Sequence, residues 1–359
     1  MKSKNALLSS LEESFMEMLQ STARAELEKG KKSLSEIEAE IFDSIEPAML
    51  QRLPEQVLRH LMLHAPNMLR EHRVADRGFE RRNFKRWREP FDALETMVAI
   101  ASEIGEACDI EGRDLAKAED DYQFEALSQL FPRAILVVRE IIHLLKGGFP
   151  DAALSRWRSL HELTVTAMFI AQCDRIVALR YLANFDFQAR RAAKQYNAYS
   201  ERAKLKPFST QELEGLDRRC SIALEAVGEE LKNEWDWAKP GLSQVKPNFA
   251  EVEKAVQMDH WRPRYKWASQ HIHSGHRPSD NVLGASEARK PVMLVGRSNS
   301  GFVDPLHMTA ISLMQITSTV LLKEPNIDRV VYAKILANLS DSVAQLAVEV
   351  QLKERPDEV

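Results

Sequence analysis

The sequence predicts an all-α fold, in the form of a multi-helix bundle with an N-terminal helical extension. Nearly every long segment has apolar residues three and four positions apart, which is the repeat of a helix with one buried face. Alternating apolar and polar residues bounded by turn pairs, which would indicate strands, are scarce. The breaks fall at helix-breaking residues, as in Gly147 to Pro150 and at Pro207.

The composition is that of a globular protein. The chain has 359 residues, of which 44% are hydrophobic and 28% charged, and this balance excludes bulk disorder. A formal net charge of -4 gives no overall attraction to nucleic acid or to an anionic membrane. Binding of either would therefore require a local basic patch.

Cysteine usage and the apolar runs indicate a cytoplasmic protein with no membrane partner. The three cysteines are far apart and lack the spacing of a zinc site or a disulfide framework: Cys108, Cys173 and Cys220. The N-terminal residues lack a secretory signal. The most apolar later run, 306–322, is interrupted by polar residues and is short for a membrane span, so we expect a buried helix.

The N-terminal residues 1–68 are predicted to form a helical module or an oligomerisation arm, and residues 69–359 the main helical domain. Three helices are expected in the first part: 9–20, one from 35 towards 42, and one bounded by Pro54 and Pro66. The first of them begins with a capping box in which Glu12 follows Ser9 by three residues.

A basic stretch follows at 70–88, where eight arginine and lysine residues outnumber three acidic ones. Aromatic residues interleave with these charges: Phe84, Trp87 and Phe91. Arginine beside aromatic rings can bind phosphates and stack on bases, which makes substrate-binding candidates of Arg81, Arg82 and Arg86. The alternative, which the helical spacing favours, is that the aromatic residues dock the helix while the basic ones face water.

The remaining helices of the main domain follow from the same apolar spacing. They are predicted at 91–108, 122–146, 152–173, 174–202, from a cap at Ser209 or Thr210 through 227, at 306–323 and at 326–353.

The helix at 152–173 carries four polar residues amid apolar ones: Arg156, Arg158, His161 and Glu162. Arg158 and Glu162 are four apart and share a face. They could form a buried pair that holds the helix in register, or Glu162 could be held by Arg158 and directed at an opposing histidine or a ligand. Arg139 and His143 are also four apart on the preceding arm, and an antiparallel hairpin could bring them towards the same layer.

A second polar cluster lies on a helix predicted from Pro263 to Gly275. Tyr265, Ser269 and His273 are four apart and would line one stripe of it. His273 could serve as an acid or base near neutral pH, with a hydroxyl beside it to orient a substrate. The flanking histidines at 271 and 276 also raise the alternatives of a metal site completed by Glu162, or of imidazoles interacting with exposed helix carbonyls.

Two resemblances add to these interpretations. Residues 145–162, with Arg158-Ser-Leu-x-Glu162, and the Tyr265-x-x-x-Ser269-x-x-x-His273 pattern resemble an uncharacterised bacterial family of α-helical proteins, over about residues 78–325. The resemblance implies that Arg158, Glu162, Ser269 and His273 form one site.

Arg156-x-x-x-x-His161 is similar to the signature of HEPN domains, helical modules that often act as metal-independent ribonucleases in toxin and phage-defence systems. This resemblance implies that the arginine stabilises phosphate charge while the histidine acts as acid and base on an RNA 2′-hydroxyl.

We therefore expect a helical ribonuclease or related phosphodiesterase that needs no cofactor. The expected catalytic residues are Arg156, Arg158, His161, Glu162, Ser269 and His273, and the expected substrate-binding residues are Tyr265, His143, Arg81, Arg82 and Arg86. RNA or another nucleic acid is the expected partner, and a site shared across a homodimer is left open. The alternatives are a non-catalytic binding or regulatory module for protein or nucleic acid and, third, a metal-dependent hydrolase. No P-loop, dinucleotide fingerprint or H-E-x-x-H motif is present in the sequence.

Overall fold

The structure is a computed structural model, and it describes residues 24, 47–243, 245–274, 278, 281–290 and 292–353. Its helices confirm the predicted all-α class, and the described residues contain no strand. The helices predicted at 9–20 and from 35 towards 42 lie outside the described residues, as does His276.

From residue 47 on, the described α-helices are, in chain order, α1 Pro47–Arg86, α2 Arg88–Ala118, α3 Tyr122–Lys146, α4 Pro150–Gln172, α5 Arg175–Ala203, α6 Thr210–Val227, α7 Phe249–Ala255, α8 Arg262–Ser269, α9 Val303–Leu321 and α10 Ile327–Lys353. Short 3-10 helices occur at Asp236–Gly241, Asp259–Trp261 and Leu283–Ala285.

The chain divides into two compact units, Met1–Phe79 and Glu80–Val359. Helix α1 runs through the boundary, and both Pro54 and Pro66 lie inside it rather than at its ends. The prediction that these prolines bound a helix was wrong. Proline fixes φ at a value that a helix accepts, so a helix can continue through it at the cost of one backbone hydrogen bond and a kink.

The core of the second unit is built around the predicted hairpin of α3 and α4. The turn between these helices uses Gly148, whose φ of +84° is readily adopted only by glycine. Helix α9 packs against α4 and α10, while α5 pairs with α6. The largest buried side chains include several aromatic residues: Trp87, Phe91, Trp157, Phe169, Phe187 and Phe302. Burial of each such side chain stabilises the fold by about 1.5–3 kcal/mol.

The apolar run at 306–322 forms most of α9, and the prediction of a buried helix is confirmed. Leu306, Leu313 and Ile316 have no exposed surface. Trp157 of α4 donates its indole N–H to the Met308 carbonyl oxygen at 3.0 Å, which ties the two helices together. None of the described helices combines the length and the apolar character needed to cross a membrane.

Two helix ends bear on the predictions. Ser209 caps α6 through the capping box, because its hydroxyl accepts from the Glu212 N–H at 3.3 Å while its own N–H donates to the Glu212 carboxylate at 2.7 Å.

Helix α8 ends at Ser269, so the prediction of a helix reaching Gly275 was wrong. Beyond Ser269 the N–H groups of Gln270 and His271 bond to carbonyls three residues back, the tighter pattern with which helices end.

Candidate functional site

The Glu162 carboxylate joins two helices that are far apart in sequence. Arg158, one turn earlier on α4, donates from Nε to Glu162 Oε1 at 3.1 Å. The Tyr265 hydroxyl of α8 donates to the same oxygen. The guanidinium carbon of Arg158 also lies 4.6 Å from the centroid of the Tyr265 ring, within the range of a cation–π interaction. Arg158, Glu162 and Tyr265 therefore form one cluster, which we call the Glu162 site.

The Glu162 site is open to solvent on one side. The side chains of Arg158 and Glu162 keep 27% and 37% of their surface exposed. Tyr265 is buried behind them, with 7% of its surface exposed. A ligand can reach the carboxylate and the guanidinium from solvent, while the tyrosine hydroxyl holds the carboxylate from the protein side.

Electrostatics keep Tyr265 a hydrogen-bond donor. Burial raises the pKa of Tyr265 well above its usual range, and the hydrogen bond to Glu162 and its negative charge raise it further, against a smaller opposing effect of Arg158. Although burial acts to lower the pKa of Arg158, hydrogen bonding and charge at Tyr265 and Glu162 leave it above the ordinary value. At neutral pH the guanidinium is therefore charged and the phenol is neutral.

The raised pKa of Tyr265 predicts a pH-dependent contribution to the free energy of unfolding, and the substitution Tyr265→Phe should remove it. Above about pH 10 an unfolded tyrosine releases its proton while the folded one keeps it, so the folded state binds more protons. The contribution is fully present below about pH 10 and falls as the pH rises, by at most about 1.4 kcal/mol per pH unit. Urea unfolding from about pH 8 to about pH 11 would measure it as the difference between wild type and variant.

The exposed Tyr199 provides the control for that measurement, because Tyr199→Phe removes a phenol that is 56% exposed. Tyr199→Phe should leave the alkaline slope of the free energy of unfolding unchanged. An identical slope in wild type and Tyr265→Phe would contradict the assigned environment of Tyr265.

Behind the Glu162 site lies a buried pair, His161 and Glu253. His161 Nε2 donates to Glu253 Oε1 at 2.7 Å, and neither side chain has any exposed surface. Its other ring nitrogen, Nδ1, has no hydrogen-bond partner among the described residues. The ring of His161 lies 5.0 Å from that of Trp157 and 5.9 Å from that of Tyr265. An imidazole in this position cannot meet a bound substrate, so we do not place His161 at the reacting centre.

Arg262 connects the buried pair to the Glu162 site. It forms an ion pair with Glu253, and its guanidinium carbon lies 5.2 Å from the Tyr265 ring. Neither Arg262 nor Glu253 is among the site residues predicted from the sequence. The available signal for Glu253 was its position four residues after Phe249, on the apolar face of α7, where a carboxylate needs a buried partner.

Two candidates on the α3–α4 hairpin lie outside the Glu162 site. Arg156 forms an ion pair with Glu140 of α3, whereas His161 pairs with Glu253. Five steps of an ideal helix separate Arg156 and His161 by about 140°, which directs their side chains to different neighbours. His143 is exposed and lines a hollow with Glu95 and Lys146, on the side of α3 that faces α2. The predicted approach of His143 to the layer of Glu162 is not seen.

The second predicted cluster is divided in the structure. The Ser269 hydroxyl donates a hydrogen bond to the Tyr265 carbonyl oxygen at 2.8 Å, so this hydroxyl is bonded within α8. His273 lies four residues beyond the end of α8 and is exposed. The side chain of His271, 6% exposed, lies instead against Asp151, with 3.2 Å between its Nδ1 and Oδ1 of Asp151. Asp151 also accepts from the N–H of Leu283 at 2.8 Å, which anchors the loop after α8.

The basic candidates near the end of α1 have different environments. Arg81 and Arg82 are exposed, as a nucleic-acid contact requires. The Arg86 side chain is 7% exposed and donates two hydrogen bonds to Glu287, at 3.0 and 2.9 Å, and one to the Asn299 carbonyl oxygen. Arg86 therefore holds the 281–300 region to α1 instead of facing a ligand.

The geometry of the described residues provides no ready metal centre. Across these residues, no three His, Cys, Asp or Glu side chains are grouped so as to hold an ion. Glu162 is engaged with Arg158 and Tyr265, and His271 with Asp151.

Residues 124–290 match the model of a family of unknown function, DUF5677. This stretch contains α4 and α8, and thus every residue of the Glu162 site. The predicted likeness to an uncharacterised family is confirmed at that level. No curated protein and no solved structure matches the chain.

Proposed function

We propose that the protein is a metal-independent phosphodiesterase that cleaves RNA, with Glu162 as the general base and Arg158 as the cation that binds phosphate. One observation carries this proposal: a solvent-reachable carboxylate is held by a guanidinium and a buried phenol contributed by a distant helix. A base must lie within hydrogen-bond reach of the proton that it removes, and a phosphate cleft needs a fixed positive charge beside it.

In the proposed reaction Glu162 removes the proton of an RNA 2′-hydroxyl. The 2′-oxygen then attacks the adjacent phosphorus, so that a 2′-O–P bond forms while the bond from phosphorus to the 5′-oxygen breaks. The leaving 5′-oxygen takes a proton from water. The products are a 2′,3′-cyclic phosphate and a 5′-hydroxyl, and no oxidant or second substrate is needed.

Arg158 supplies the charge for this step. A guanidinium has five N–H donors; the bond to Glu162 uses the Nε group and another bond goes to Tyr265, which leaves further donors on the terminal nitrogens for phosphate oxygens. Arg262 and Lys266 are four apart on α8 and share a face, and both retain exposed surface. Because Arg262 is paired with Glu253, the added positive charge next to the site comes from Lys266, as an RNA backbone requires.

Tyr265 and the buried pair act as positioning groups in this proposal. The phenol orients the Glu162 carboxylate, and Arg262 contacts the phenol ring while it pairs with Glu253. Residues held from behind in this way lose little freedom when a substrate binds, which is how a general base stays aligned.

The test uses the purified full chain with a single-stranded RNA and a DNA of the same sequence, both in EDTA. The RNA should be cut to fragments that end in a 2′,3′-cyclic phosphate, and the DNA should stay intact because it has no 2′-hydroxyl. Equal cleavage of RNA and DNA would contradict the proposed nucleophile. RNA bound without cleavage would contradict the enzyme and support a non-catalytic binding module.

A further inference from the structure

A second site lies between α2, α3 and the end of α9, apart from the Glu162 site. It is a partly enclosed cavity of about 360 Å³. Its walls are mainly apolar side chains, among them Leu127, Phe131, Ile135 and Val320. Small-molecule sites typically fall between about 300 and 1,000 Å³ and combine apolar walls with a few polar groups.

Two glycines of α2 shape one wall of this cavity. Gly105 and Gly112 are seven residues apart, so both face α3 two helical turns from each other. A Cβ atom at Gly105 would collide with the ring of Phe131, and one at Gly112 with the ring of Phe124. The glycines thus let these rings lie against α2, where they form apolar surface of the cavity.

The wall contributes no ionised thiol. Cys108 lines the cavity and is 8% exposed, and burial raises its pKa above the ordinary value. The thiol is therefore neutral at neutral pH and acts as apolar surface.

Each cation at the rim is already paired with a carboxylate. Arg113 donates to Asp109 at 2.7 Å, and Lys323 donates to Asp121 at 2.5 Å. Arg329 donates to Glu111 at 2.9 Å. An anionic ligand would have to break one of these pairs in order to bind a cation.

Glu106 is the exception among the charged groups of the rim. It lines the cavity, it is exposed, and it forms no ion pair or side-chain hydrogen bond with any other described residue. The charge at the mouth of the cavity is therefore negative and uncompensated, next to apolar walls that a hydrocarbon can fill.

We propose that this cavity binds a small amphipathic amine, with its apolar chain between α2 and α3 and its ammonium group at Glu106. A single partly exposed ion pair contributes little, so the apolar walls supply most of the affinity and Glu106 supplies the preference for positive charge.

The test measures binding of octylamine, octanol and octanoate to the full chain by titration calorimetry. The two ions are kept below the concentrations at which they form micelles, and octanol is kept below its solubility limit. Octylamine should bind most tightly, octanol more weakly and octanoate least. Glu106→Gln should weaken octylamine about fivefold and leave octanol unchanged. Glu103→Gln is the matched control, because Glu103 is exposed on the same helix but does not line the cavity.

Ile135→Trp tests the location, since a larger side chain should fill the cavity and abolish binding of octylamine and octanol. If Ile135→Trp does not fold, Val320→Phe is used in its place, because it fills the same space from α9. The proposal is overturned if wild type binds none of the three compounds, if octanoate binds as well as octylamine, if Glu106→Gln leaves octylamine unchanged, or if a folded cavity-filling variant still binds.

Discussion

Replacing Glu162 with glutamine should lower the rate of RNA cleavage about a hundredfold or more. Glutamine is nearly the same size and can still accept a hydrogen bond from Arg158 or Tyr265, but it cannot take up the 2′-hydroxyl proton. Loss of a general base typically costs a factor of about 10² to 10⁴. The measurement is the first-order rate of cleavage with the RNA saturated by enzyme.

The matched control for Glu162→Gln is Glu95→Gln. Glu95 also belongs to a partly exposed ion pair, with Lys146 at 2.7 Å, and its side chain is 43% exposed, close to the value for Glu162. Glu95→Gln should retain the wild-type rate. If both variants cleave RNA as fast as wild type, the activity belongs to other residues or to a contaminant.

Replacing Glu253 with alanine should lower the free energy of unfolding by about 3–5 kcal/mol. The carboxylate is fully buried, accepts from His161 and pairs with Arg262, and its removal leaves a buried ring nitrogen with no acceptor. Breaking one side of a buried pair is costly because the remaining polar group stays desolvated. Urea denaturation followed by far-UV circular dichroism gives the change.

Asp92→Ala is the surface comparison for Glu253→Ala. Asp92 pairs with Arg88 at 3.3 Å, where both side chains are largely exposed, so its removal should cost no more than about 1 kcal/mol. A double replacement, His161→Phe with Glu253→Leu, removes both members of the fully buried pair but leaves Arg262, whose side chain is 22% exposed, without its carboxylate, so it should recover only part of the loss. Equal effects of Glu253→Ala and Asp92→Ala would show that the buried pair has no special part in the fold.

The candidate site could be predicted only as far as local helix geometry extends. Arg158 and Glu162 were identified because residues four apart on a helix lie on one face, and the structure joins them. Tyr265 was identified as a polar group on the second segment, and it contacts both of them. His273 was expected on the same stripe as Tyr265, but that stripe depended on a helix that ends at Ser269.

The sequence predicts which residues share a helix face better than it predicts which polar side chains are buried. His161 and Arg86 each belong to a segment rich in polar residues, and both were candidates for ligand contact. In the structure His161 is enclosed with Glu253, and Arg86 is held by Glu287, a residue 201 positions away. Neither partner lies within a few turns of the residue that it binds, so no local pattern could reveal them.

The sequence by itself determined the all-α class, the hairpin of α3 and α4, a helix cap at Ser209 or Thr210 and the Arg158–Glu162 pair. These features depend on interactions between residues about three to five positions apart, which the order of side chains specifies directly. Only the tertiary structure decided that Tyr265 contacts Glu162, that His161 is buried behind the Glu162 site and that an apolar cavity lies beside Glu106. Those outcomes depend on how helices distant in sequence pack, and packing sets the solvent access and the partner of each polar group.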